Sequence, residues 1–143
     1  MAKDRKPLVS IIDDGCNVMT DEEMLAVMAE FRKGYGTGDK KRLLAATTPD
    51  FEWHQHYGDE SPTGRVIKGI DGLLEELSWR QEHWRDVTYE NLTERAAGDV
   101  ILQMFTTRGI DENGTSYHVN VVDVYPVRDG LICRKDTYWK NIT

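Results

Sequence analysis

The 143-residue chain carries 25 acidic against 18 basic side chains, a formal charge of −7, with 39% of its positions apolar and 30% charged. That length suits one domain burying roughly 70% of its unfolded surface, and the apolar share is too high for intrinsic disorder. Apolar runs such as Met24–Ala29 fall far short of the ~20 residues of a membrane span, and an acidic chain without a basic stripe does not fit nucleic-acid binding.

Residues 1 to 19 read as an N-terminal arm whose apolar stretch, Leu8–Ile12, is too short for a secretory signal and runs into Asp13 and Asp14. Cys16 and Cys133 lie far apart without C-x-x-C or zinc spacing, as expected of two reduced thiols in a cytoplasmic protein. Residues 20–143 read as a single domain. Thr20 and Glu23 form a capping box, and Met24, Leu25, Met28, Phe31 and Tyr35 recur at helical spacing until Gly36 and Gly38. Asp39 caps a second helix carrying Leu43 and Leu44, which Pro49 ends.

The run from Phe51 to Tyr57 alternates and predicts a strand; Gly58–Gly69, with Pro62 and Gly64, reads as a loop. A third helix begins near Asp71. Four strands follow, over Val87–Arg95, Val100–Arg108, Ser116–Val127 and Leu131–Trp139, with Asn113-Gly114 and Asp129-Gly130 as tight-turn signals. Helices segregated from an antiparallel or mixed sheet predict an α+β fold: a curved sheet wrapped around the N-terminal helices as a cone or barrel.

Several stretches resemble the nuclear transport factor 2-like superfamily, in its SnoaL-like and ketosteroid-isomerase-like branch. They are Tyr35-Gly36-Thr37-Gly38-Asp39, Pro49-Asp50-Phe51-Glu52-Trp53-His54, and Gly64 with Gly69. The ending adds Val121-Val122-Asp123-Val124-Tyr125, Asp129-Gly130-Leu131-Ile132 and Thr137-Tyr138-Trp139. The resemblance spans roughly residues 20 to 140. It implies a cofactor-free enzyme moving a proton on a small hydrophobic carbonyl compound, as an isomerase, dehydratase or cyclase. It equally allows a non-catalytic small-molecule binder or a dimeric assembly domain, since a fold does not set a function.

Aligned on the isomerases, His54 takes the place of the proton-shuttling Asp, and Asp123 that of the protonated Asp donating to the substrate oxyanion. Trp139 matches an aromatic of their pocket. Phe31 stands where the oxyanion Tyr would be, and Thr137 where cyclases and epoxide hydrolases share an acid, with Asp136 one place away.

The residues alone single out the same pair. Asp123 interrupts the apolar run Val119-Asn120-Val121-Val122-Asp123-Val124, where a carboxyl is buried and needs a partner, and an imidazole such as His54 could supply one. His54 is thus expected as the base and Asp123 as its orienter or an oxyanion donor. Phe31, Tyr35, Trp53, Tyr117, Val119, Val121, Thr137 and Trp139 are the expected pocket walls, although Trp53 alternates against His54. Trp79, Arg80, His83 and Trp84 rim the pocket or pack in the core. His54 and His56 have the H-x-H spacing of metal ligands with Glu60 downstream, but the flanking glycines of such a motif are missing, and no metal or cofactor is expected. The expected partners are a small hydrophobic molecule and a second copy of the chain, docked through the outer sheet face.

Overall fold

The Thr20 hydroxyl accepts from the Glu23 amide at 3.0 Å, and the Glu23 carboxylate accepts from the Thr20 amide at 2.8 Å. In the computed structural model, which describes residues 19–58, 62 and 64–142, this capping box opens α1 (Asp21–Thr37). The arm expected over residues 1 to 19 lies, Met19 apart, outside the described residues. Helix α1 buries Met24, Met28 and Phe31 and stops at Gly38, whose φ of 70° is a left-handed conformation that glycine adopts without a Cβ clash. The Asp39 carboxylate caps α2 (Lys40–Ala46) by accepting from the Arg42 amide at 3.1 Å.

Strand β1 spans Thr47–His56, so Pro49 lies inside it rather than closing α2. The stretch that reads as a loop contains β2 (Arg65–Lys68), four residues too short to show an alternation. After α3 (Gly69–His83) come β3 (Arg85–Ala97), β4 (Val100–Ile110), β5 (Ser116–Arg128) and β6 (Leu131–Asn141). The β5–β6 turn is Asp129-Gly130, with φ of 54° and 81°, the paired positive values of a two-residue hairpin.

The six strands form one mixed sheet in the order β2-β1-β6-β5-β4-β3. Only β1–β6 is parallel; the other pairs are antiparallel. Register shifts in β3 fall between Arg85 and Thr88 and between Glu90 and Thr93, around Asp86 (φ 58°) and Asn91 (φ 61°). Such bulges bend a strand and increase its twist. The sheet therefore curls into a cone but does not close, and α1, α2 and α3 cover its concave face. Inside lies the core, with Phe31, Leu43, Phe51, Trp53, Leu73 and Ile132 each at most 1% exposed. Among the described residues no helix is long and apolar enough to cross a membrane.

Candidate functional site

Side-chain alternation decides what the concave face carries. On β1, Phe51, Trp53 and Gln55 are buried while Glu52, His54 and His56 are only half-buried. Across the sheet, Asp123 on β5 is in register with Thr137 on β6, and Thr137 with Gln55 on β1. Asp123, Thr137, Gln55, Trp53 and Lys135 therefore share the inner face.

There Asp123, 0% exposed, is the centre of a hydrogen-bonded network. Its Oδ1 accepts from the Thr137 hydroxyl at 2.6 Å, and its Oδ2 from Lys135 Nζ at 2.9 Å. Trp53 Nε1 donates to Thr137 Oγ1 at 2.9 Å, which commits the hydroxyl proton to Asp123. Lys135 also donates to Tyr125 Oη at 2.8 Å, and the Tyr125 hydroxyl donates to Gln103 Oε1 at 3.2 Å. The rings of Tyr35, Trp53 and Tyr125 stand 5.0 to 5.3 Å from the ammonium. Burial is the largest influence on Lys135 and pulls its pKa below the ordinary 10.5, while the Asp123 carboxylate works against it. Burial likewise pushes Tyr35 and Tyr125 well above 10.0.

This network faces a cavity of about 30 Å³ walled by Tyr35, Trp53, Tyr117, Val121 and Trp139, room for about two waters. Arg80 of α3 plugs its outer end. The guanidinium lies over Trp53 (5.1 Å), Tyr57 (5.7 Å) and Trp84 (4.5 Å), and donates to Glu76 Oε2 at 2.9 Å and Tyr57 Oη at 2.7 Å. Burial works to lower the Arg80 pKa, but the hydrogen bond to Tyr57 and the Glu76 carboxylate oppose it and the pKa stays above its ordinary value. Burial raises Tyr57 to about 12. Beyond Arg80 opens a groove of about 820 Å³ between α3, β2 and the end of β1.

His54 is not in this cavity. It is in register with Asp136, and Asp136 and Thr137 are successive residues whose side chains leave opposite faces of the sheet, so the imidazole is on the convex side. There His54 Nε2 lies 2.9 Å from Glu52 Oε1. The expected His54–Asp123 dyad is therefore not formed: strand alternation, which sets Trp53 and His54 on opposite faces, overrides the gapless alignment that paired them. Asp136 is on the convex side too, as its one-place offset from Thr137 requires. His54, His56 and Asp136 offer ligand atoms within 4.8 Å of one another and could hold a metal ion. The Arg134 guanidinium already binds both Asp136 oxygens, at 2.8 and 3.0 Å.

Of the other expected walls, Tyr35, Trp53, Tyr117, Val121, Thr137 and Trp139 line the cavity. Phe31 and Val119 do not. Phe31 packs on Phe51 and Tyr125 in the core, and Val119 is 0% exposed on the inner face. Lys135 was not expected, although it precedes Thr137 by two and so shares its face. Tyr125 follows from Asp123 in the same way. Arg80 and Trp84 belong to the site rather than only to the core.

The SnoaL-like domain family matches residues 28–135. No functionally curated protein matches the sequence. Among solved structures, an NTF2-like protein from Burkholderia xenovorans is 24% identical with a TM-score of 0.72, covering 85% of this chain and 92% of its own. A candidate polyketide cyclase from Xanthomonas campestris is 18% identical with a TM-score of 0.64, over 84% and 92%. A protein of ketosteroid isomerase-like fold from Catenulispora acidiphila, solved with trimethylamine, is 13% identical with a TM-score of 0.60, over 80% and 85%. At these identities the three likenesses show the fold and no more. The curled sheet, the helices on its concave face and a family match across most of the chain agree: this protein belongs to the SnoaL-like domain family.

Proposed function

We propose that the chain is a cofactor-free enzyme that moves a proton on a small hydrophobic carbonyl compound inside the cone, with Asp123 and Lys135 as its acid–base pair. The observation that carries this reading is a fully buried carboxylate, oriented by Thr137 and neutralised by Lys135, on the wall of an aromatic cavity. Paired titratable groups in a water-poor hollow are the usual equipment for proton transfer. Asp123 takes a proton from the carbon beside the carbonyl, and Lys135 donates to the oxygen on which charge develops. Trp53, Tyr117 and Trp139 give the flat apolar walls. A substrate needs more room than the closed cavity has, so Arg80 and Trp84 swing aside to admit it.

The test is deuterium uptake by cyclic ketones such as α-tetralone in D2O, followed by proton NMR. The wild type accelerates exchange at the α-carbon over buffer, and Asp123→Asn loses at least a hundredfold of that acceleration. Acceleration that survives intact in Asp123→Asn contradicts the assignment.

A second reading, a small-molecule binder without chemistry, is favoured by one feature. Asp123 already has Lys135 and Thr137 as donors, so it can also be a structural ion pair. A protein that binds α-tetralone without exchanging its protons is this binder.

A further inference from the structure

Gln55 is 1% exposed, and its Nε2 is the one buried side-chain donor among the described residues that meets no acceptor. The orientation of its amide is fixed. Oε1 accepts from Arg65 Nη1 at 3.0 Å, and turning the amide over would set N–H against N–H. Native structures rarely leave a buried donor unpaired, and where they do, a missing partner is the first explanation.

Gln55 lines the open groove of about 820 Å³ outside the Arg80 plug. One wall there is a continuous polar chain. Arg65 Nη1 also donates to Glu76 Oε1 at 3.1 Å, and the other Glu76 oxygen accepts from Arg80, which reaches Tyr57. Two guanidiniums share one carboxylate, so this wall next to Gln55 keeps a positive excess; the Glu76 carboxyl sits below its ordinary value because the two arginines outweigh its burial. Farther out the lining adds Lys68, Glu75 and Glu112, the last accepting from Trp84 Nε1 at 2.8 Å, so the positive excess is confined to the end at Gln55. Beside this polar chain, on and just after α3, stand the Trp79 and Trp84 rings, 6.5 Å apart, with Trp84 under the Arg80 guanidinium and Trp79 38% exposed.

We propose that this groove binds a ring-bearing carboxylate. One carboxylate oxygen accepts from the half-exposed Arg65 guanidinium, the other reaches Gln55 Nε2 as the side chains that close that atom off from the groove give way, and the ring lies against the exposed Trp79. A cationic ligand finds only donors at Gln55 and Arg65, and the rings of the inner cavity already face the Arg80 and Lys135 cations. The assignment rests on the reading of the cone as a small-molecule site and names the chemistry recognised at its mouth: an acid group held in the groove, with the rest of the molecule directed past Arg80 toward Asp123.

Isothermal titration calorimetry with 2-naphthoate tests this, with 2-naphthamide and 2-naphthylmethylamine as neutral and cationic counterparts. The expected result is naphthoate binding at least tenfold tighter than either counterpart. Gln55→Met weakens it tenfold or more with no drop in melting temperature, since the change removes an unpaired donor. Arg65→Ala, at a side chain 57% exposed, weakens it as well and decides the matter if Gln55→Met folds poorly. Equal affinities for the three probes, no heat at millimolar naphthoate, or unchanged affinity in the variants overturns the proposal. The two readings fail separately. Ketone exchange without naphthoate binding removes only this one, and naphthoate binding without exchange removes only the proton-transfer assignment.

Discussion

Thr137 shows how single contacts prepare the site. With Trp53 Nε1 on its oxygen, the hydroxyl has one direction left for its proton, and Asp123 Oδ1 lies there at 2.6 Å. Lys135 gives the matching charge. Removing it leaves a carboxylate stranded in a desolvated site, a loss of about 3–5 kcal/mol. Lys135→Met is accordingly expected to lower the urea midpoint strongly, and the double variant Lys135→Met/Asp123→Leu to recover most of the loss. A single variant as stable as the wild type would mean that the pair is not buried together. At this scale Asp123 was legible because a carboxyl in a run of valines has to be buried. Lys135 was not, because Arg134-Lys135-Asp136 reads as a solvated charge run unless the period of two is carried back from Thr137. His54 was misplaced because an alignment on neighbouring residues is less binding than the face on which a strand sets its side chain.

Among the elements, α1 and α2 cross where Gly34 leaves room for Leu43. An added Cβ would lie 2.8 Å from Leu43 Cγ and 3.1 Å from the Leu43 amide nitrogen, so the clash includes backbone. Gly36, two residues on in the same helix, has nothing within 4 Å of such an atom. Gly36→Ala is therefore expected to stabilise by about 0.5–1 kcal/mol through helix propensity, and Gly34→Ala to destabilise by about 1 kcal/mol as overpacking outweighs it. Opposite shifts of the urea midpoint check this; equal shifts would contradict the tight crossing. Helices and long strands were readable from caps, periods and turn glycines, all local signals. Strand β2 was not, since its pairing of Ile67 with Trp53 and Val66 with His54 comes from the sheet rather than from its own four residues.

Across the whole molecule, buried tyrosines couple the cone to pH. Burial raises Tyr35, Tyr57 and Tyr125 above the ordinary 10.0, with Tyr57 at about 12. The folded chain thus keeps protons that the unfolded chain releases near pH 10. Stability from these groups is complete below about pH 10 and falls as pH rises from 10 towards 12, by up to about 1.4 kcal/mol per unit for each tyrosine. Urea unfolding is expected at a clearly lower midpoint at pH 11 than at pH 9, and equal midpoints would show the rings to be solvated. The layer architecture was legible from the order of elements. The parallel join of β1 to β6, which unites residues as distant as Gln55 and Thr137, has no local signal, and it is this join that brings Trp53 beside Lys135 and Gln55 beside Thr137 on the inner face. The central claim is that chemistry belongs to the concave face. Its most direct test is the rate of α-proton exchange on α-tetralone in His54→Ala and Asp123→Asn side by side. The concave-face account predicts the wild-type rate in the first and at least a hundredfold loss in the second. Loss in His54→Ala with activity kept in Asp123→Asn would contradict it.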